Sequence, residues 1–189
     1  EPDGGKMCRL PTYPDSLNTQ HIAADITLSP TAEARIEVNK VSRIFQYENE
    51  AGIVYLEPNK QKDRIRSGIH LSQADIRNLQ ISECKEANPS ITFRYTATSN
   101  QYGHKTGNRL FIPANVFRKE FSVPPLTKRT YPIHIDYGYT DTDSIRIQLP
   151  EGYVIEGLPK PLDVKSKFGS FHSDIQVKDK KICIVHRLF

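Results

Sequence analysis

Cysteine is scarce in this sequence, and tryptophan is absent. The three cysteines, Cys8, Cys84 and Cys183, lie far apart, and their odd number leaves at least one thiol unpaired. They form neither a CxxC metal or redox motif nor the spacing of a disulfide framework. A chain of 189 residues can bury a stable hydrophobic core without disulfides or a metal. Cys183 lies in an apolar run, which predicts a small buried side chain.

A large excess of charge of one sign is also missing. The 26 lysines and arginines stand against 22 aspartates and glutamates, and the two signs are interspersed along the chain. The net charge of +4 is too small to indicate a nucleic-acid-binding surface. The densest basic run, residues 60–66, contains Asp63 and no aromatic residue for stacking on bases, which is typical of a solvated face. No nucleic-acid partner is therefore expected.

No hydrophobic run is long enough to span a membrane, and no signal peptide is present. We therefore expect a protein that is not membrane-spanning. The chain begins with Glu1 instead of methionine, and residues 182–189 indicate an apolar strand without a polar tail. Because independent domains usually end in a soluble segment, the sequence predicts a part excised or processed from a longer protein.

The main structural signal is alternation of apolar and polar residues, which is typical of half-buried β-strands. It covers residues 22–28, 35–47, 91–98, 131–139, 145–149, 171–177 and 182–188. Short polar connections, such as 140–144, predict hairpins. A change of apolar parity within 35–47 predicts a bulge near Asn39 and Lys40. The predicted fold is mainly β, an antiparallel β-sandwich of immunoglobulin-like or larger size.

Helix signals are confined to the middle of the chain. Pro58 suits a first helical position and Gly68 a helix end, so one short surface helix is predicted near 58–67. Residues 72–81 begin like a capping box but fit a short strand nearly as well, and both readings stay open.

The Pro-rich stretch 121–126 is the best internal boundary. It predicts a β-rich unit with the helix over residues 1–112 and a β-sandwich unit over 113–189. The two are expected to pack as one body, truncated at the C-terminus. One large sandwich is the alternative.

Motifs for catalysis are absent. The sequence has no GxSxG elbow and no phosphate-binding glycine loop. Cys84 is flanked by carboxylates, whereas a reactive thiolate needs positive charge nearby. Cys84, His134 and Asp136 can be assembled into a triad on paper, but a chain with six histidines readily allows such a selection. We predict no enzymatic activity, no catalytic residue and no cofactor.

Metal ligands are limited to a few candidates. Asp141 and Asp143, with Ser144, lie in the predicted hairpin loop, and clustered loop oxygens suit calcium. The glycine and distal glutamate of an EF-hand are missing, and a turn explains the same residues. The pairs His134/Asp136 and His172/Asp174 each lack a third ligand. No metal site is therefore predicted, and Asp141 and Asp143 are the candidates if one exists.

Tyrosines are the candidate binding residues. Tyr102, Tyr137 and Tyr139, together with Tyr153, can form an aromatic platform for a sugar or a peptide. Buried tyrosines with a solvated hydroxyl are the commoner arrangement in β-sandwiches.

A series of phrases in the last third carries a family resemblance: residues 131–137, 147–159, 167–169 and 182–189. Together they resemble the C-terminal β domain of bacterial transglutaminase-like multidomain proteins, a domain whose own function is uncharacterised. The resemblance is clearest over about residues 110–189. The phrase 147–159 predicts a strand that ends at Pro150, a turn at Gly152 and a new strand that Pro159 terminates.

In the proteins that this chain resembles, the catalytic Cys, His and Asp belong to a separate papain-like core. No motif here matches that core, so the resemblance implies no catalytic residue in this chain. It implies an accessory domain that positions substrate or packs against the core, in the periplasm or cell envelope of Gram-negative bacteria. The expected partner is the rest of the parent chain. The alternative is an independent carbohydrate- or peptide-binding module.

Overall fold

The computed structural model describes residues 4, 5, 7, 8, 13–117, 128, 130–132, 134–178 and 181–189. Strands account for 47% of the structure, and the described helices are short. The elements are β1 (Thr19–Leu28), β2 (Ala34–Arg43), α1 (Phe45–Ala51), a 3-10 turn (Gly52–Tyr55), α2 (Pro58–Arg66), β3 (Asp75–Cys84), β4 (Ser90–Ser99), β5 (His104–Thr106), β6 (Arg109–Phe111), β7 (Thr140–Gln148), β8 (Leu162–Ser166), β9 (Gly169–Lys178) and β10 (Lys181–Leu188).

The prediction of a mainly β fold is confirmed. Within the described residues, eight strands form one sheet in the order β3-β4-β2-β1-β7-β10-β9-β8, and β5 and β6 form a separate ribbon. The sheet is mixed, whereas the alternation predicted an antiparallel sandwich, because β1 and β7 pair in parallel. A parallel pair needs a long crossover, and the chain from β2 to β6 supplies it. Alternation marks strands but does not determine which strands pair.

The central pairing joins the two predicted units. β1 belongs to residues 1–112 and β7 to residues 113–189, and Ile26 lies opposite Ile147 in the shared register. Both parts therefore contribute strands to one continuous sheet. The Pro-rich stretch 121–126, on which the boundary was based, lies outside the described residues.

One face of the sheet carries the core. Ile26, Ile36, Ile145 and Ile147 are fully buried on this face, beneath both helices and the coil that includes Val116. The opposite face is polar. There Arg146 donates two hydrogen bonds of 2.6 Å to the Asp25 carboxylate. The alternation in the sequence therefore records a sheet that is covered on one side only.

Strand β2 is shorter than predicted, and the prediction of a bulge near Asn39 and Lys40 is wrong. Its register to both neighbours is regular from Ala34 to Arg43. The parity change in the sequence arises because Lys40 and Ser42 occupy core-facing positions. Glu50 of α1 pairs with the Lys40 ammonium and accepts a 3.1 Å hydrogen bond from Ser42 Oγ. Buried polar groups that find partners cost little, so a carboxylate from another element permits them here.

The predicted surface helix is confirmed as α2, with Pro58 in its first turn and no buried residue. Helix α1, whose first residues were assigned to a strand, follows Ile44, which has a left-handed φ of 56°. The undecided segment 72–81 belongs mainly to strand β3, which is bulged between Arg77 and Gln80. Neither helix in the described ranges has the length and apolar character needed to cross a membrane.

In the C-terminal third, the hairpin predicted from 171–177 and 182–188 is confirmed as β9 and β10. The strand predicted at 131–139 is wrong for its described residues, and Ile133 lies outside them. The loop predicted at 140–144 is instead the start of β7. The strand predicted after Gly152 is coil. The predicted hairpin of 131–139 with 145–149 does not form, because β7 pairs instead with β1 and β10, which are distant in sequence.

Candidate functional site

A cavity with a mixed lining, called the polar cavity below for the polar side chains clustered in it, lies at the beginning of β7, on the covered face of the sheet. Its volume is about 470 Å³, and its lining includes Asp141, Asp143, His186 and Gln20. The alternation that places Ile145 and Ile147 in the core also places Asp143 and Asp141 on the core face, because they precede Ile145 by two and four residues. His186 lies directly opposite Asp143 on β10.

Asn115 holds this group together. Its amide Nδ2 donates to Asp143 Oδ2 at 2.6 Å and lies 3.1 Å from His186 Nδ1. The amide orientation is determined by Phe117, whose backbone N–H donates to Asn115 Oδ1 at 2.7 Å. Nδ2 is therefore the donor, and His186 Nδ1 must accept. We infer that the His186 proton lies on Nε2 and that the ring is neutral.

A second set of buried amides surrounds Asp141. Gln46 Nε2 donates to Asp141 Oδ1 at 2.7 Å, and the Gln46 backbone N–H donates to Asn18 Oδ1 at 3.1 Å. Asn18 Nδ2 in turn donates to the Gly138 carbonyl at 2.8 Å. These contacts connect α1, the start of β1 and the approach to β7. They position the Asp141 carboxylate at the cavity.

Burial lowers the pKa of His186 from its ordinary value, because a half-buried site penalises the charged ring, and the Asp143 carboxylate opposes this effect. The hydrogen bond that Asn115 donates to Nδ1 also favours the neutral ring. Geometry and electrostatics therefore agree that His186 is neutral near neutral pH.

A pH dependence of stability follows for His186. Because its pKa is lower in the folded protein, the unfolded chain takes up this proton first as the pH falls. The stability contribution is fully present above the unfolded pKa and decreases as the pH falls toward the folded value. We expect the free energy of unfolding in urea to fall more between about pH 7.5 and about pH 5.5 in the wild type than in His186→Gln. Equal losses in both proteins would contradict this assignment.

The cavity brings together the residue types of a hydrolase triad without their geometry. Ser173, His186 and Asp143 occupy neighbouring positions across β9, β10 and β7. Asn115, however, occupies Nδ1 of the histidine, so Nε2 carries a proton and cannot accept one from a serine. No hydrogen bond joins Ser173 to His186 among the described contacts. The arrangement supports hydrogen bonding rather than nucleophilic attack.

The candidate metal ligands do not form a coordination site in the described ranges, where no group of three His, Cys, Asp or Glu side chains converges. Ser144 faces away from Asp141 and Asp143, because neighbouring strand residues alternate. His134 and Asp136 lie 3.3 Å apart, both strongly exposed. His172 pairs with Asp163 at 2.8 Å instead of acting with Asp174.

The candidate tyrosines occupy different parts of the molecule. Tyr102 is 2% exposed, and its hydroxyl donates to the Pro113 carbonyl at 3.2 Å. Its backbone N–H bonds to Ala32, at the end of the sheet where β1 meets β2. Tyr137 is exposed near the other end of β1, where its ring stacks on Phe45 at 4.5 Å. Tyr139 is half-buried near the start of β7. No single platform includes Tyr102 and Tyr137.

The cysteines have no disulfide partners within the described residues. Cys84 is exposed at the end of β3. Cys183 is only partly buried, so the prediction of a buried side chain is wrong. Its strand neighbours Ile182 and Ile184 face the core, and alternation turns Cys183 to the open face opposite Arg146.

An apolar groove lies beside the C-terminal strands, with a volume of about 870 Å³. The segment 108–112, which contains β6, and the coil segment 152–159 form its rims over buried isoleucines of β7, β9 and β10. Phe111 and Val154 on these rims are largely exposed, and Val154 reaches 83%. The groove therefore presents apolar surface to solvent.

A tight turn directs the second rim across the sheet. The Tyr153 N–H bonds to the Pro150 carbonyl at 3.3 Å, and Gly152 has a φ of 81°. Glycine at the third position of a type II turn explains this geometry. The predicted turn is thus confirmed, and the chain beyond it becomes a rim of the groove instead of a strand.

Comparison with known protein families gives a match for the C-terminal part of the chain. Residues 108–188 match the model of a family described as a domain of unknown function with a solved structure (DUF3858). The match covers less than half of the chain and includes β6 to β10, both groove rims and most of the polar cavity. No curated protein and no solved structure matches the chain. The match does not link the chain to transglutaminase-like proteins.

Sequence reasoning selected Asp141 and Asp143 but missed their surroundings. The alternation through Ile145 and Ile147 contained the signal that both carboxylates face the core. Asn115 and Gln46 carried no such signal, because each reaches the cavity from a segment distant in sequence.

Proposed function

We propose that this chain is a non-catalytic accessory β domain that binds another protein, and that its partner is the catalytic core of a transglutaminase-like protein. The observation that carries the proposal is the concentration of exposed apolar side chains in residues 108–188. They are Phe111, Tyr131, Ile135, Tyr137, Val154, Leu158, Leu162, Val164, Phe168 and Val177. Exposed apolar surface of this extent is typical of protein contacts. The resemblance over 110–189 supports the choice of partner.

The groove is the best-formed part of this surface. Its floor is made by Ile175, Ile182 and Ile184, which belong to the paired strands β9 and β10 and are held in place by the sheet. Its rims supply exposed apolar contact around Phe111 and Val154. A rigid apolar floor with exposed rims suits insertion of a partner's side chains, as at the centres of protein interfaces.

A charged side chain in the groove should therefore weaken binding of the core. We expect Val154→Asp to raise the dissociation constant for the transglutaminase-like core about tenfold to a hundredfold, because a carboxylate would be desolvated against an apolar partner. Isothermal titration of the purified chain with that core measures the change.

Tyr55→Asp is the control. Tyr55 is also largely exposed, at 76%, but it lies in the 3-10 turn, outside residues 108–188 and outside the groove lining. The Tyr55→Asp protein should bind the core as tightly as the wild type does. The proposal is overturned if the wild-type chain does not bind the core, or if both variants bind equally well.

The proposal assigns no reaction to this chain. The Asn115 amide between Asp143 and His186 supports this part, because it keeps the histidine in the wrong tautomer for a general base. The resemblance further suggests a location in the bacterial periplasm or cell envelope.

The alternative of an independent carbohydrate- or peptide-binding module has less support. It relied on a shared tyrosine platform, and the buried Tyr102 ring is not available to a ligand. Tyr137 retains an exposed ring stacked on Phe45, which is a small surface compared with the groove.

A further inference from the structure

The two edges of the sheet differ in regularity. β3 forms one edge and β8 the other. β3 carries a bulge between Arg77 and Gln80, and Asn78 has a left-handed φ of 53°. Bulges of this kind disrupt an edge and prevent further pairing. β8 is paired with β9 in an unbroken register from Leu162 to Ser166, and each of its residues is exposed.

The backbone groups at the β8 edge can be assigned from β9. Ser170 and Phe189 exchange both of their backbone hydrogen bonds, at 2.6 and 2.8 Å, so Ser170 directs its N–H and C=O toward the β10 side. Lys165 lies opposite Ser170. Since the Ser170 backbone groups point away from β8, Lys165 and Ser170 form a non-hydrogen-bonded pair. Lys165 therefore directs its own N–H and C=O to the free edge. The same holds for Asp163, two residues away.

The side chains of β8 are complementary to those of a second, antiparallel copy. When Asp163 of each copy lies opposite Lys165 of the other, the two-fold symmetry gives two Asp163–Lys165 pairs. Both pairs are attractive, and both are of the hydrogen-bonded type. Val164 then lies opposite Val164 at the two-fold axis. A shift by two residues in either direction places Asp163 opposite Asp163 or Lys165 opposite Lys165. The charges therefore select one register.

The apolar residues of β8 support the same arrangement. Leu162 and Val164 are 50% and 49% exposed and face the side of the sheet that carries the core. In the proposed register Val164 would pack against Val164 of the other copy, and Leu162 would lie opposite Ser166 and diagonal to Val164. Side chains that are half-exposed in one copy would thus be buried by the second.

We propose that β8 is a self-association edge, through which two copies of this chain form an antiparallel dimer with a continuous sheet. This interaction goes beyond the proposed binding of a catalytic core in the groove, because no residue of β8 lines the groove. An isologous two-fold contact is the commonest form of homodimer. A five-residue edge is a small interface, so the dimer is expected to be weak and concentration-dependent.

Charge reversal at the edge tests the proposed register. Sedimentation equilibrium of the wild type from about 10 µM to about 1 mM should show a monomer–dimer equilibrium. Lys165→Asp and Asp163→Lys should each raise its dissociation constant at least about tenfold, because each creates two like-charge pairs. The double variant Asp163→Lys/Lys165→Asp restores opposite charges and should return the constant to within about threefold of the wild type.

Two further proteins complete the test. Arg77→Asp makes the same charge change on the other edge strand, beside Asp75, and should leave the dimer unchanged. Lys165→Pro removes an N–H that β9 does not use and should abolish the dimer, with β8 and β9 still paired by NMR. A wild type that stays monomeric at about 1 mM, or a double variant as weak as the singles, overturns the proposal. So does a dimer that neither single variant weakens.

Discussion

Replacing Ile147 with alanine is expected to lower the free energy of unfolding by about 3–4 kcal/mol. Ile147 is 0% exposed, and it lies opposite Ile26 on β1 and Ile182 on β10. The substitution removes apolar contact at the parallel pairing that joins the two parts of the chain. The neighbouring side chains are held by strands on both sides, so the site can collapse only partly and a cavity remains.

Arg146→Ala provides the control for this experiment at the adjacent position. Arg146 lies on the open face, where its pairing with Asp25 is exposed to solvent. Exposed ion pairs contribute little, so this variant should lose less than about 1 kcal/mol. Urea titration of both variants measures the difference. Similar losses for the two would contradict the assignment of a single buried face.

Gly169→Ala is expected to destabilise the protein by about 2–4 kcal/mol, because two costs combine. Gly169 has a φ of 155°, which an L-residue rarely adopts. A Cβ at this position would lie 2.2 Å from the backbone oxygen of Phe189. That oxygen accepts the hydrogen bond from Ser170, so it cannot move without breaking the contact between the start of β9 and the end of β10.

The matched substitution is Gly157→Ala, on a rim of the groove. A Cβ there would meet nothing within 4 Å, and thermal unfolding should be close to that of the wild type. A Gly169→Ala protein as stable as Gly157→Ala would show that the β9 start can rearrange. In that case the assignment of outward backbone groups on β8, which depends on Ser170, would also lose its basis.

These predictions depend on features that the sequence indicated unequally. Alternation predicted β1 and the β9–β10 hairpin, because in both places the core face is mainly apolar and the partner strand follows closely. The same reasoning located β2 as the partner of β1 but predicted a bulge there that is wrong. There Lys40 and Ser42 face the core, and only the neighbouring Glu50 explains why polar residues are tolerated.

The candidate site shows the same division. Asp141 and Asp143 were singled out as clustered carboxylates, but their placement in a loop was wrong because β7 begins at Thr140. Their partners Gln46 and Asn115 lie 95 and 28 residues away from them in the chain. A contact over such separations depends on how strands and coil pack, and no local pattern records it.

The sequence by itself determined a mainly β protein, a short surface helix begun by Pro58, and a turn at Gly152. Each of these follows from local chemistry: side-chain alternation, a fixed proline φ and the conformational freedom of glycine. The tertiary structure alone decided the parallel pairing of β1 with β7, the neutral tautomer of His186 and the unbroken edge at β8. These depend on which distant segments meet, because backbone hydrogen bonds pair any two strands and only packing selects among them.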